Sequence, residues 1–189
     1  MYLSFSILQN KTGNDPYQVP MEIYTTMDRT KQNHVNNVMD GKDPNFSWEN
    51  EYVKGGVAVI DVNTGGIVAL GGVKDKNSVN SLSYATGIKR QIGSTAKPLY
   101  DYGPGIEFNN WSTYTPFVDE PHSYTGGVAI RNWNNKYNGL MTMREALKLS
   151  MNIPALKAFQ SLKNSDIKKF VLGLGLSPEI DNGLLHESH

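Results

Sequence analysis

The segment between Gly56 and Gly72 constrains this chain most. Two Val/Ile/Ala-rich runs, Gly56 to Val62 and Ile67 to Gly72, are joined by Asn63-Thr64-Gly65-Gly66, the pattern of a β-hairpin. The runs are apolar at successive positions more than they alternate, which predicts central strands covered on both faces. Upstream, Glu22 to Thr26 reads as a short strand after Pro20, and Asp28 as the cap of a polar helix from Arg29 to about Met39. Val35, Val38 and Met39 give that helix a thin apolar stripe, and residues 40–51 read as a loop. After residue 90 the pattern changes to helices separated by long loops. Thr142-Met143-Arg144-Glu145 has the form of a capping box opening a helix to about Ser150. Pro154 suits the first turn of a second helix, running to about Leu162. Ser165 reads as the cap of a third, with Ile167, Phe170, Val171 and Leu174 on its buried face and Gly173 or Gly175 at its end. A hairpin followed by several helices predicts a mixed α+β architecture.

Composition removes several function classes. The chain has 189 residues, with 18 Lys+Arg balanced by 18 Asp+Glu, so it lacks the basic surface of a nucleic-acid binder. It has no Cys, which excludes a disulfide scaffold, a thiolate zinc site and a cysteine nucleophile. The longest apolar runs, Gly56 to Ile60 and Ile67 to Leu70, fall far short of the roughly 20 residues that span a bilayer, so no membrane segment is expected within it. Met1 to Leu8 lacks the basic start and cleavage site of a signal peptide. His34, His122, His186 and His189 share no metal-ligand spacing, and no phosphate-binding glycine motif occurs, so neither metal nor cofactor is expected.

The chemistry-bearing pattern is Ser94-Thr95-Ala96-Lys97. If a helix starts at Ser94, the i, i+3 relation stacks hydroxyl and amine on one face. A lysine there can take the serine proton, provided burial keeps it neutral. A chain this long should hold about one Ser-x-x-Lys by chance. This one holds two, and Ser165-Asp166-Ile167-Lys168 reads as a helix cap with a solvated face. Ser150-Met151-Asn152 lies at a helix end before Ile153-Pro154, where a turn can aim both side chains into a cleft. A hydroxyl there can pass a proton to a leaving amine and a carboxamide can hold a substrate amide. Equally, the pair could satisfy the last helix carbonyls. A second Ser-x-Asn, Ser78-Val79-Asn80, reads as loop. Trp111, Trp133 and the tyrosines between residues 100 and 137 could line a cleft, with packing the default role.

Context separates these readings. The run Lys89 to Pro98 resembles the active-serine segment of class A penicillin-binding proteins, and Ser150-Met151-Asn152-Ile153-Pro154-Ala155 resembles that family's second motif. Tyr24 to Asp28 with Gln32, Asp119-Glu120-Pro121, Asn132-Trp133 and Gly173 to Gly175 also sit where the family carries similar residues. The resemblance covers residues 19–189 and implies the N-terminal part of a transpeptidase domain, with residues 1–18 a lead-in segment. The implied fold is that of penicillin-binding transpeptidases and serine β-lactamases: an antiparallel sheet flanked by helices, plus an all-helical subdomain, incomplete in this chain. The implied activity is D,D-transpeptidation of peptidoglycan stem peptides ending in D-Ala-D-Ala, on the outer face of the bacterial cytoplasmic membrane, inhibited by β-lactams. It makes Ser94 the nucleophile, Lys97 the general base, Ser150 a proton relay and Asn152 a positioner of substrate and Lys97. Met151 at the middle position is expected for class A transpeptidases rather than for β-lactamases.

The family's third motif, Lys-Thr-Gly, is expected well after the Ser-x-Asn. The triplet Lys11-Thr12-Gly13 precedes Ser94 and reads as a turn, and no such triplet follows Asn152. The remainder of the transpeptidase domain is therefore an expected partner, and the isolated polypeptide is expected to bind no β-lactam measurably. Two alternatives remain beside the transpeptidase: a non-catalytic piece that a second chain or segment completes, and a serine β-lactamase or D,D-carboxypeptidase.

Overall fold

The computed structural model describes residues 9–15, 18–20, 22–50, 52–72 and 83–187. The chain divides into two compact units, Met1–Lys89 and Arg90–His189. In the first, helix α1 (Arg29–Met39) starts at Asp28, whose carboxylate accepts the Lys31 N–H at 2.9 Å. That is the predicted cap, satisfying a backbone donor that the first turn leaves free. Val35 and Met39 are buried against Ala69, with Val57 and Val59 packed beside them. Strands β1 (Val57–Ile60) and β2 (Ile67–Gly71) form the predicted antiparallel hairpin, with Val59 opposite Ala69. Gln32 ties helix to sheet. Its carboxamide donates to Leu70 O at 2.8 Å and accepts the Leu70 N–H at 3.0 Å, much as a neighbouring strand would.

Three expectations fail in this unit. Residues 22–28 carry no regular secondary structure and form no ladder. They reach β2 through the Thr26 hydroxyl donating to Ile67 O and the Asp28 N–H donating to Val68 O, and a side-chain bond does not propagate a strand. Among the described residues the hairpin is covered only in part. β1 alternates half-buried and exposed positions and Ile60 and Ile67 remain 56% and 44% exposed, while Val68 and Ala69 are buried at successive positions of β2. Lys11-Thr12-Gly13 ends a helical turn over residues 9–12, closed by the Gly13 N–H donating to Gln9 O. Ser78-Val79-Asn80 lies outside the described residues.

The second unit is built around one continuous helical run. A 3₁₀ turn (Gly93–Ala96) passes into a π-helical segment (Lys97–Tyr102) and then α2 (Gly103–Phe108). Strand β3 (Pro116–Asp119) pairs with β6 (Gly139–Thr142), and the short strands β4 (His122–Ser123) and β5 (Ala129–Ile130) pair with each other. Helices α3 (Met143–Lys148), α4 (Asn152–Ser161) and α5 (Asn164–Gly173) follow, then a final hairpin of β7 (Ile180–Asp181) and β8 (Leu184–Leu185). One apolar cluster joins Tyr102, Phe117 and Met151, and a second joins Tyr100, Phe159 and Ile167. Trp111 packs against both. Among the described residues no helix is long and apolar enough to cross a membrane.

The cap half of the expected box holds at α3, where Thr142 Oγ1 accepts the Glu145 N–H at 3.2 Å. Thr142→Ala should destabilise the protein by about 1 kcal/mol, read as a lower urea midpoint. At α5 the expectation shifts by two residues. The cap position is Lys163, not Ser165, because Asn164 directs its carboxamide to Leu185, donating to its carbonyl at 3.0 Å and accepting its N–H at 2.9 Å. Docking of β8 therefore draws the helix start earlier. The glycine end holds: Gly175, at φ 78°, donates to Leu172 O while the Leu176 N–H reaches Val171 O. Leu174, expected on the buried face, is 51% exposed because it falls at the cap, beyond the last helical turn.

Candidate active site

The helical run begins as a 3₁₀ turn, in which residues i and i+3 eclipse. That geometry sets Ser94 and Lys97 side by side, with Lys97 Nζ 3.2 Å from Ser94 Oγ. Ser94 is exposed, whereas Lys97 is 6% exposed. The turn between α3 and α4 brings in the other two predicted residues. Ser150 sits at φ 54°, a left-handed conformation that a non-glycine residue adopts at a cost of about 1 kcal/mol or more. There its carbonyl oxygen and Oγ lie 2.7 and 3.0 Å from Lys97 Nζ. Asn152, at the start of α4, places Oδ1 2.8 Å from the same nitrogen. All four sequence-predicted residues thus meet at one amine.

Lys97 faces four oxygens, which a neutral amine can satisfy as well as an ammonium. The Ser150 carbonyl and Asn152 Oδ1 can only accept, while the two hydroxyls can also donate. A neutral amine has two N–H groups for the two obligate acceptors and a lone pair left for a hydroxyl proton. Burial drives the Lys97 ammonium below the usual lysine range, against an opposing pull from the Asp101 carboxylate. The arrangement can therefore accept a proton from Ser94 and pass one to or from Ser150. The site opens into a cleft of about 470 Å³ that Ser94, Lys97, Asp101, Arg131, Asn152 and Glu187 help to line. Glu187 accepts hydrogen bonds from the Thr125 N–H and hydroxyl and from Gln160, and these pull its carboxyl below the usual range despite burial.

Around the Ser150 turn lies a set of polar groups to which the sequence assigned no role. Asn132 Oδ1 accepts the N–H groups of Asn152 and Ile153 at 2.9 and 3.2 Å. Its Nδ2 donates to Asp119 Oδ1 at 2.7 Å and to Lys136 O at 2.8 Å. Trp133 Nε1 donates to Leu149 O at 3.0 Å, so Trp133 holds a helix end while its ring stays 68% exposed. The sequence signal for Asn132 was its place in the family resemblance, while Trp133 was also a candidate to line a cleft or to pack. Trp111 is a packing residue and Tyr124 lines the cleft. Ser165 and Lys168 lie on α5 and line no part of the cleft. His122 is 2.7 Å from Gln160 Oε1 and His34 is 3.5 Å from the Asp43 carboxylate. Among the described residues no cluster of His, Cys, Asp or Glu could hold a metal ion.

Comparison with known proteins agrees with this architecture. Residues 55–189 match the family described as the penicillin-binding protein transpeptidase domain. The chain is 41% identical over 175 residues to penicillin-binding protein 1A/1B of Bacillus subtilis, covering 93% of this chain and 19% of that protein. It is 30% identical over 173 residues to penicillin-binding protein 1A of Streptococcus pneumoniae, covering 89% of this chain and 24% of the relative. It thus spans about a fifth to a quarter of the length of these relatives. Among solved structures, PonA1 of Mycobacterium tuberculosis in complex with penicillin V superposes with a TM-score of 0.72 at 20% identity, over 95% of this chain and 47% of that one. The fold is that of penicillin-binding transpeptidases, and the chain belongs to the transpeptidase domain family of class A penicillin-binding proteins.

Proposed function

We propose that this chain carries the nucleophile and proton-transfer groups of a D,D-transpeptidase that cross-links peptidoglycan stem peptides. Ser94 Oγ attacks the carbonyl of the D-Ala-D-Ala bond while Lys97 takes its proton. The C–N bond then breaks, and the proton passes through Ser150 to the departing D-Ala amine, leaving an acyl-enzyme. A stem-peptide amine from a neighbouring strand attacks that ester, forming the cross-link and returning a proton to Ser94. Asn152 holds the substrate amide and keeps Lys97 in place. A β-lactam offers the same carbonyl in a ring, so its leaving amine stays attached to the acyl group. In this reading residues 19–189 form the N-terminal part of the domain, and the complete enzyme works on the outer face of the bacterial cytoplasmic membrane.

The observation that carries the proposal is the buried Lys97 amine, 3.2 Å from Ser94 Oγ and 3.0 Å from Ser150 Oγ. The penicillin V complex of PonA1 supports it as a property of a protein of the same fold. The full-length protein, incubated with a β-lactam, should gain one adduct mass on the peptide containing Ser94, and Ser94→Ala should gain none. An adduct that persists in Ser94→Ala would overturn the assignment. Transient acylation with rapid turnover would favour the β-lactamase alternative instead. The isolated 189-residue polypeptide should remain unlabelled in the same experiment, and stoichiometric labelling of it would refute the non-catalytic reading of this segment alone.

A further inference from the structure

The loop of residues 131–138 grips the Ser150 turn from both sides. On one side Trp133 Nε1 binds Leu149 O, the carbonyl just before Ser150. On the other, Asn132 Oδ1 takes the first two N–H groups of α4. The cap position of that helix is Met151, which has no side-chain oxygen and makes no cap bond. Asn132 therefore supplies from 20 residues away the acceptor that a Ser, Thr, Asp or Asn cap would supply locally. A third contact fixes the orientation of Asn152. Its Nδ2 donates to Arg131 O at 2.9 Å, so its oxygen, not its nitrogen, faces Lys97. The grip is anchored at Asp119, 1% exposed, which accepts from Asn132 Nδ2 and from the backbone and side-chain N–H groups of Asn138. Every one of these donors and acceptors is paired within the fold, which makes the network rigid.

We propose that Asn132, anchored by Asp119, is a positioning residue for acyl transfer, holding the strained Ser150–Asn152 turn so that Ser150 Oγ and Asn152 Oδ1 meet Lys97 with water excluded. The inference rests on the reading of Ser94 as nucleophile and Lys97 as its base. Without the Asn132 oxygen, two N–H groups of α4 lose their acceptor and the left-handed turn loses what opposes its relaxation. Asn152 then withdraws from Lys97, and water reaches an amine whose charged neighbour is Asp101 and whose cleft also contains Arg131 and Glu187.

The test follows acylation of the full-length protein by a fluorescent penicillin, resolving the saturating rate, the pre-acylation dissociation constant, the fraction labelled at completion and the pH profile. Asn132→Ala should lower the saturating rate roughly 10- to 100-fold. Its dissociation constant should rise less than the rate falls, because the Asn152 contact to the substrate amide is one part of binding whereas proton transfer depends on the whole turn. The midpoint of the rate–pH curve should move upward as Lys97 hydrates. Asn132→Asp should be slower still, since it sets two carboxylates against each other at the Asp119 contact. The exchange Asn132→Asp with Asp119→Asn restores the pair at residue 119 and still offers α4 an oxygen, but it leaves the Lys136 carbonyl without its donor, so it should be faster than Asn132→Asp without regaining the wild-type rate. An unchanged rate and midpoint in Asn132→Ala would overturn the proposal. So would a loss confined to the fraction labelled, or a double variant no faster than Asn132→Asp. Failure of the underlying reading would look different, because wild type itself would then carry no adduct on Ser94.

Discussion

Lys97→Met should slow acylation of Ser94 by at least about a thousandfold at neutral pH while leaving the unfolding midpoint near that of wild type. Methionine fills a similar volume with no ionisable group to bury, which offsets the lost hydrogen bonds to Ser150 O and Asn152 Oδ1. What disappears is the only amine within reach of Ser94 Oγ among the described residues, at 3.2 Å. Lys97→Arg separates a base from a mere donor. A guanidinium keeps several N–H groups for Ser150 O and Asn152 Oδ1 but stays protonated, so it should be as slow as the methionine variant. The pH dependence follows from the same group. Burial disfavours the ammonium, so the folded lysine loses its proton below the ordinary value of 10.5. The reactive form is the deprotonated one, so the acylation rate should rise with pH, pass a midpoint below that of a free lysine, and level off. A rate that falls across the same range, or a Lys97→Met enzyme within about tenfold of wild type, would remove Lys97 as the base.

The parts of this site that were legible in the sequence are those set by short spacings. Ser94 and Lys97 are three residues apart on one helical run, and Ser150 and Asn152 two apart beside a proline that suits a helix start. Each pair needed only its local element to form. The π-helical segment from Lys97 to Tyr102 was not legible, nor was the left-handed φ of Ser150, because neither residue prefers those conformations intrinsically. Contacts 16 to 21 residues away impose the second, through Trp133, Asn132 and Arg131, none of which carries a periodic signal. Asp119 and Asn132 were marked by the family resemblance alone, with no role attached, and are 1% and 2% exposed. The fold followed the same division. The Asp28 and Thr142 caps and the Gly56–Gly72 hairpin depend on neighbours in sequence and came out as expected. The strand over residues 22–26 needed a ladder that β2 does not give it, and the start of α5 was decided by Leu185, 21 residues beyond Asn164. Short spacings together with the family resemblance singled out the four site residues, and tertiary hydrogen bonds chose their geometry.

Gly105→Ala should be the most damaging single-methyl change in the second unit, lowering stability by about 3 kcal/mol. A Cβ at this buried helical position would enter the six-membered ring of Trp111, far inside the roughly 3.5 Å at which carbon atoms rest. The indole cannot retreat easily. Its own backbone N–H donates to Gly105 O at 3.1 Å, and its ring lies edge-on to Phe117 with centroids 5.4 Å apart. Trp111 also touches both apolar clusters, one containing Tyr102 and Met151 and the other Tyr100 and Phe159. Displacing it therefore disturbs both sides of the helical run that carries Ser94 and Lys97, and close-packed interiors absorb such a shift poorly. The urea midpoint, followed by tryptophan fluorescence, should fall by about 1 M or more. The fraction of protein that a β-lactam can label should fall with it at physiological temperature. Gly126→Ala is the matched control, because a Cβ there meets open space and its stability should change by less than about 0.5 kcal/mol. Equal midpoints for the two variants would mean that Trp111 has room to move, and that the two clusters are not coupled through it.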